Sequence, residues 1–188
     1  MPKIKWKGGT LLAPVPAVLV SCADGEKTNI LTVAWTGILS SDPPRLYISV
    51  RKERASHPII MKSREFCVNL PNEKLVRALD YCGVKSGRDC DKFAEMRLTR
   101  ADSCEVGCPS VAECPLTLEC RVFDVVESGS HDIFMADIVA VTCDAGLVDK
   151  NGRLMLEKAG LIAYSHGDYY KLGERIGSFG FSVRKKKR

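Results

Sequence analysis

The chain lacks most of the short motifs that announce a chemistry. It has no GxxxxGK[ST], and so no phosphate-cradling P-loop, and no GxGxxG, the turn that opens a dinucleotide-binding Rossmann unit. GxSxG and HExxH are absent too, which removes the α/β-hydrolase elbow and the zincin helix. Only three histidines occur, His57, His131 and His166, too few for a histidine-rich metal site. No apolar run approaches the roughly 20 residues of a membrane-spanning helix, and the basic start, Met1 to Gly9, carries no secretory apolar segment. A cytoplasmic protein without a membrane role is the expectation.

Cysteine, by contrast, is abundant. Nine thiols are an odd number, and nothing directs secretion, so a disulfide framework is not expected. Cys104, Cys108, Cys114 and Cys120 form the densest set, yet no CxxC pair exists to build a structural zinc site. Cys120 alternates with Leu116, Leu118 and Val122 at strand period, as a small core residue would. A Cys–His nucleophile pair has no local signature either. The formal charge of +5 equals the five basic residues Arg184 to Arg188, so it reads as a solvated tail. With no basic stripe interleaved with aromatics, nucleic acid is not expected as a partner.

What is present is a series of short strands separated by turn chemistry, within one expected domain of 188 residues. The apolar run Val15 to Ser21 precedes a turn at Ala23-Asp24-Gly25-Glu26, and Asn29 to Trp35 resumes as an extended segment. Asp42-Pro43-Pro44 interrupts before the strands Leu46–Val50 and Phe66–Leu70. Ser56 is predicted to cap a helix with Pro58 in its first turn. A longer helix is predicted from Glu73 to Cys82, with Leu75, Leu79 and Cys82 on one face and Gly83 as its stop. A short helix follows within Asp89–Met96, then a loop from Thr99 to Glu113. Leu116–Glu127 and Asp132–Cys143 read as a hairpin joined by Ser128-Gly129-Ser130-His131, and Leu161–Tyr164 as a last strand. Many short strands without regular βαβ alternation predict a mostly β, antiparallel barrel with peripheral helices. Residues 1–9 and 184–188 are expected to be flexible ends.

Polar residues gather at the strand ends: Asn29, Thr32 and Thr36 in one group, Ser49, Arg51, Arg54, Ser56 and His57 in another. Hydroxyls and arginines beside a helix start suit a phosphate. Each has an ordinary reading as well: Thr32 as a strand residue, Arg51 and Arg54 as solvated charges, Ser56 as a cap.

Ordered blocks narrow these alternatives. They are Asn29-Ile-Leu-Thr-Val-Ala-Trp-Thr36, Ser41-Asp-Pro-Pro-Arg-Leu-Tyr-Ile-Ser-Val-Arg51, Arg54-Ala-Ser-His57, Glu65-Phe-Cys-Val-Asn-Leu-Pro71, Ser86-Gly-Arg-Asp-Cys-Asp-Lys-Phe93, Tyr169-Tyr-Lys-Leu-Gly-Glu174 and Gly177-Ser-Phe-Gly-Phe181. In order and spacing, from about Thr10 to Val183, they resemble the flavin reductase-like, FMN-binding split-barrel family, particularly its flavoredoxin branch. The resemblance implies a Greek-key split barrel, a homodimer and one FMN per subunit. It places Asn29, Leu31, Thr32, Ala34, Trp35 and Thr36 along the isoalloxazine, and Ser49, Val50, Arg51, Arg54, Ser56 and His57 around the ribityl phosphate. Lys92 and the Ser86–Asp89 turn would close over the site, and Tyr169-Tyr170 would reach toward the neighbouring subunit. His131 would stand by the flavin's reactive face and position a nicotinamide. Where some branches have a further threonine after the phosphate serine, this chain has Pro58. The implied function is an NAD(P)H:flavin oxidoreductase. The alternatives are an FMN electron carrier serving a redox protein partner, and a module whose basic tail binds an acidic partner.

Overall fold

In the computed structural model, which describes residues 1–25 and 27–184, twelve strands and three helices follow one another. The strands are β1 (Val15–Pro16), β2 (Val18–Asp24), β3 (Lys27–Val33), β4 (Thr36–Ser41), β5 (Pro44–Arg51), β6 (Glu65–Leu70), β7 (Arg100–Ala101), β8 (Ser110–Val111), β9 (Leu116–Ser128), β10 (His131–Cys143), β11 (Ile162–Ser165) and β12 (Asp168–Lys171). The helices are α1 (Ser56–Ser63), between β5 and β6, and α2 (Val76–Val84) and α3 (Lys92–Glu95), between β6 and β7. Seven strands form one antiparallel sheet in the order β3-β2-β6-β9-β10-β5-β4, curled but not closed, which is a split barrel. The flanking strands β1, β11 and β12 form a second, smaller sheet.

Strand period explains the inside of the barrel. Along β5, Leu46, Ile48 and Val50 are buried while Arg45, Tyr47 and Ser49 alternate outward. Opposite them, Phe134 and Ala136 of β10 join Phe66, Val68, Val20 and Leu31 in one core. Cys120 belongs to that core, as its spacing predicts. Strand β2 is buried on both faces: Val18, Val20 and Cys22 point into the barrel, while Leu19 meets Ala78, Leu79 and Phe93 beneath the helices. This double burial is why Val15 to Ser21 reads as a continuous apolar run rather than an alternation.

Several local expectations are corrected. Asn29–Trp35 is not one strand to its end: β3 stops at Val33, and β4 starts at Thr36. The Asp42-Pro43-Pro44 break is the tight turn of a β4–β5 hairpin, in which Ser41 pairs with Pro44. Gly83 does not stop α2 but lies within it, and the helix runs to Val84 with Lys85 as its cap. The glycine is needed because a Cβ there would come within 3.2 Å of the Thr32 Cβ. The Thr99–Glu113 loop contains the small β7–β8 ladder. His131 is the first residue of β10 rather than part of the connection, and Gly129, at φ +59°, makes the turn. Ile162–Ser165 pairs with Asp168–Lys171, a strand the sequence reading leaves out. Of the basic tail, residues 185–188 lie outside the described residues. No helix is long and apolar enough to cross a membrane among the described residues.

Candidate functional site

Two cavities meet where β3 ends, β5 turns into α1 and β10 begins. The first, of about 390 Å³, is lined by Leu31, Thr32, Ala34, Trp35, Ser49, Val50 and His131, with Gly83 and Val84 of α2 and Tyr164 and Tyr169 opposite. Pairing brings these distant segments together: His131 is in register with Arg51, and the Ser49 amide donates to the Trp35 carbonyl at 2.9 Å. The His131 ring packs on Trp35 with centroids 4.7 Å apart, and its Nδ1 lies 2.8 Å from Ser130 Oγ. Thr32 Oγ1 donates to the Leu79 carbonyl, docking α2 against β3. Burial, with the charges of Arg51 and Arg54 nearby, holds the His131 imidazole below its ordinary pKa. The neutral imidazole is therefore favoured over the imidazolium.

The second cavity, of about 440 Å³, shares Leu31, Arg51 and Arg54 with the first. Its wall carries five cations, Arg51, Arg54, Lys85, Arg88 and Lys92, against the single carboxylate of Glu53. Lys92 is 3% exposed, and its Nζ donates to the carbonyls of Cys82 at 3.0 Å and Lys85 at 3.3 Å, around the end of α2. Both observed partners are neutral, and an ammonium has a third donor to give. Burial, with Arg54 adding to it, pulls the Lys92 pKa down, so an anion in this cavity would relieve a buried positive charge. Asn29, 6% exposed, donates from Nδ2 to Ser56 Oγ at 2.9 Å and ties β3 to the start of α1. Gly87 passes so close to Asn29 that any Cβ would overlap its amide.

Of the expected site residues, Leu31, Thr32, Ala34, Trp35, Ser49, Val50, Arg51, Arg54 and His131 line the first cavity, and Asn29, Ser56 and Lys92 the second. Three assignments change. Ser56 is not a cap, for no side-chain bond caps α1; its hydroxyl is fully buried against Asn29, so it positions rather than offers itself. His57 turns away from both cavities. Its Nε2 lies 2.7 Å from Asp132 Oδ2, and its ring meets Phe134 edge-on. Thr36 faces neither cavity, its hydroxyl donating to the Tyr47 carbonyl at 2.5 Å. Tyr169 lines the first cavity, and its hydroxyl donates to Asp80 Oδ1 at 3.2 Å. Lys85, Asp80 and Tyr164 were not singled out from the sequence, whereas Arg88 belongs to the Ser86–Asp89 turn expected to close over the site, and Ser86, Gly87 and Arg88 of that turn line the second cavity. The one signal for Lys85 was its place between a helix and that basic, glycine-containing turn.

The fold and this pair of cavities define a split-barrel protein with a ring-sized pocket running into a cationic one. Residues 11–173 match the flavin reductase like domain, and the chain belongs to that family. Among solved structures it is similar to flavoredoxin of Desulfovibrio vulgaris (TM-score 0.90, 29% identity, 97% of this chain and 100% of that one). It is similar also to flavoredoxin from Methanosarcina acetivorans (TM-score 0.88, 26% identity, 98% and 100%). By sequence it is 30% identical over 136 residues to an uncharacterised Pyrococcus abyssi protein, covering 72% of this chain and 78% of that one. The FMN reductase (NADH) RutF of Enterobacter cloacae is 29% identical over 126 residues, 66% of this chain and 74% of that one.

Proposed function

We propose that the chain binds FMN non-covalently and works as an NAD(P)H-dependent flavin reductase. The observation that carries this reading is the continuity of the two cavities through Leu31, Arg51 and Arg54. An aromatic ring with a polar edge fits the first, and a terminal phosphate dianion fits the second. Lys92 supports it independently: a buried ammonium held by two carbonyls is complemented by an anion.

Bound there, FMN would supply hydride-acceptor chemistry toward a reduced nicotinamide, and that chemistry is the cofactor's own. The protein's part is geometric. Backbone groups at Ala34–Trp35 and Ser49–Arg51, with the Trp35 and His131 rings, would hold the flavin ring, and Arg54, Arg88 and Lys92 would hold its phosphate. The neutral His131 can accept or donate one hydrogen bond to a nicotinamide amide without adding charge. RutF, named an NADH-dependent FMN reductase, supports this donor.

The flavoredoxin neighbours favour a second reading, in which FMN stays bound and passes electrons to a protein partner. Anaerobic titration of the FMN-reconstituted protein separates the two. Bleaching near 450 nm by NADH or NADPH is expected of the reductase; flavin that only dithionite bleaches would replace it with the carrier; failure to retain FMN would sink both. A homodimer is part of the proposal as well. Ile4, Trp6, Leu11 and Leu12 at one end, and Ile176, Phe179 and Phe181 at the other, are exposed apolar side chains that a second copy could cover. A sedimentation mass of one chain would refute it.

A further inference from the structure

Six of the nine cysteines are buried, and two of those meet far from the cavities. Cys67, on β6, and Cys108, on the chain leading into β8, lie with their Sγ atoms 3.6 Å apart, at 0% and 1% exposure. Cys67 Sγ is also 3.3 Å from Ser103 Oγ and 3.7 Å from the Cys108 carbonyl. With Val106 they form a small cluster of their own, outside the barrel core. The sequence shows no sign of it, because 41 positions separate the two thiols.

We propose that Cys67 and Cys108 are a reversible redox site, a dithiol that closes to a disulfide and locks the 103–108 turn onto β6. The two sulfurs already face each other, so a modest side-chain rotation brings them to bonding distance. The turn that carries Cys108 lies at the surface: its Cys104, Glu105 and Gly107 are exposed. The turn is moored by carboxylates. Glu119 accepts from the Cys104 and Glu105 amides at 2.9 and 2.7 Å, and Glu65 from the Gly107 amide at 2.8 Å. Local opening there, with the sheet intact, exposes both thiols.

The thiols also differ from the other buried cysteines. Burial pushes Cys82 up to about 11 and Cys22 to about 12, and raises Cys114 and Cys120, as inert core thiols. Cys67 alone moves down, chiefly through its hydrogen bond with Cys108 and against the opposing effect of burial. Cys108 is pushed up by that same bond and by burial. Cys67 is accordingly the nucleophile. Its thiolate attacks one sulfur of a low-molecular-weight disulfide, forming a mixed disulfide and expelling one small thiolate. Cys108 then loses its proton and attacks the Cys67 sulfur, expelling the second. The protein loses two electrons and two protons, and the small disulfide is reduced to two thiols.

The test is to equilibrate the folded protein with oxidised and reduced glutathione, quench with acid, alkylate under denaturing conditions and map the peptides. A linked Cys67–Cys108 peptide is expected, with two fewer free thiols, reversed by dithiothreitol. The cross-link encloses about 40 residues and is expected to raise the melting temperature by about 10 °C. Cys104→Ser with Cys143→Ser removes the exposed thiols and should leave the link intact. Recovery of Cys67 and Cys108 fully alkylated after oxidation would overturn the proposal. So would glutathione adducts confined to Cys104 and Cys143. The peptide map needs only the wild-type chain, so a Cys108→Ala variant that fails to fold does not blunt the test.

Discussion

The two cavities of the site are built by opposite means. The ring-sized one is made of strand: β5 and β10 are held in register by ladder hydrogen bonds, the end of β3 lies against them, and residues of all three supply the wall. The cationic one is made of turns, the 51–56 corner and the 85–92 segment, and its key cation is held only by carbonyls at a helix end. A strand wall presents aromatic and apolar surface at fixed spacing, which suits a planar ring. A turn wall gathers charges from chain segments that no periodicity aligns, which suits a phosphate.

Variants can break this division of labour. The largest effect is expected from Lys92→Met, which keeps the bulk and removes the charge. FMN affinity should fall about 10- to 100-fold, the range of a hydrogen bond to a charged group, while riboflavin, lacking the phosphate, should bind almost as before. Equal losses for both ligands in fluorescence titration would put Lys92 in the ring cavity's service instead. Trp35→Ala should give the reverse pattern, weakening FMN and riboflavin alike by about 3- to 10-fold through lost aromatic contact. His57→Phe tests the corrected assignment. It should lower thermal stability, because the buried Asp132 loses its hydrogen-bond partner and keeps only Lys52 at 3.7 Å, while FMN affinity stays within about twofold, roughly 0.4 kcal/mol. A tenfold loss would return His57 to the site.

The smallest effect is a titration. Burial and two arginines disfavour the His131 imidazolium, so its folded midpoint lies below the ordinary ~6.5 of the unfolded chain. The unfolded state therefore binds the proton better. The resulting stability is fully present above pH ~6.5 and is lost as pH falls through that value toward the folded midpoint. Proton NMR of the three histidines checks this, and a His131 midpoint above 6.5 would contradict it.

The barrel was largely legible because its inner face obeys a two-residue period: Leu46, Ile48 and Val50 could hardly face elsewhere. The misreadings share a cause. Gly83 looked like a helix stop and Ser56 like a cap because those are the common local uses of such residues. In fact Gly83 makes room for Thr32, 51 positions earlier, and Ser56 receives a hydrogen bond from Asn29. His57 seemed to share the role of its neighbour Ser56. Successive helical residues point about 100° apart, however, and His57 meets Asp132 on another strand. Lys85 carries no pattern of its own, and only the docking of α2 beside β3 brings it, with Arg88 of the Ser86–Asp89 turn, to Arg51 and Arg54.

By itself the sequence determined the alternation that makes a β-barrel, the turns that divide it, and the ordered blocks that resemble one family. These depend on neighbours within a few residues, where sterics and solvent exposure act directly on the chain. The tertiary structure decided which polar residues face a cavity, which merely position others, and which two thiols meet. Those outcomes turn on contacts between segments 27 to 75 residues apart, and only packing and hydrogen bonding between such distant segments can set them.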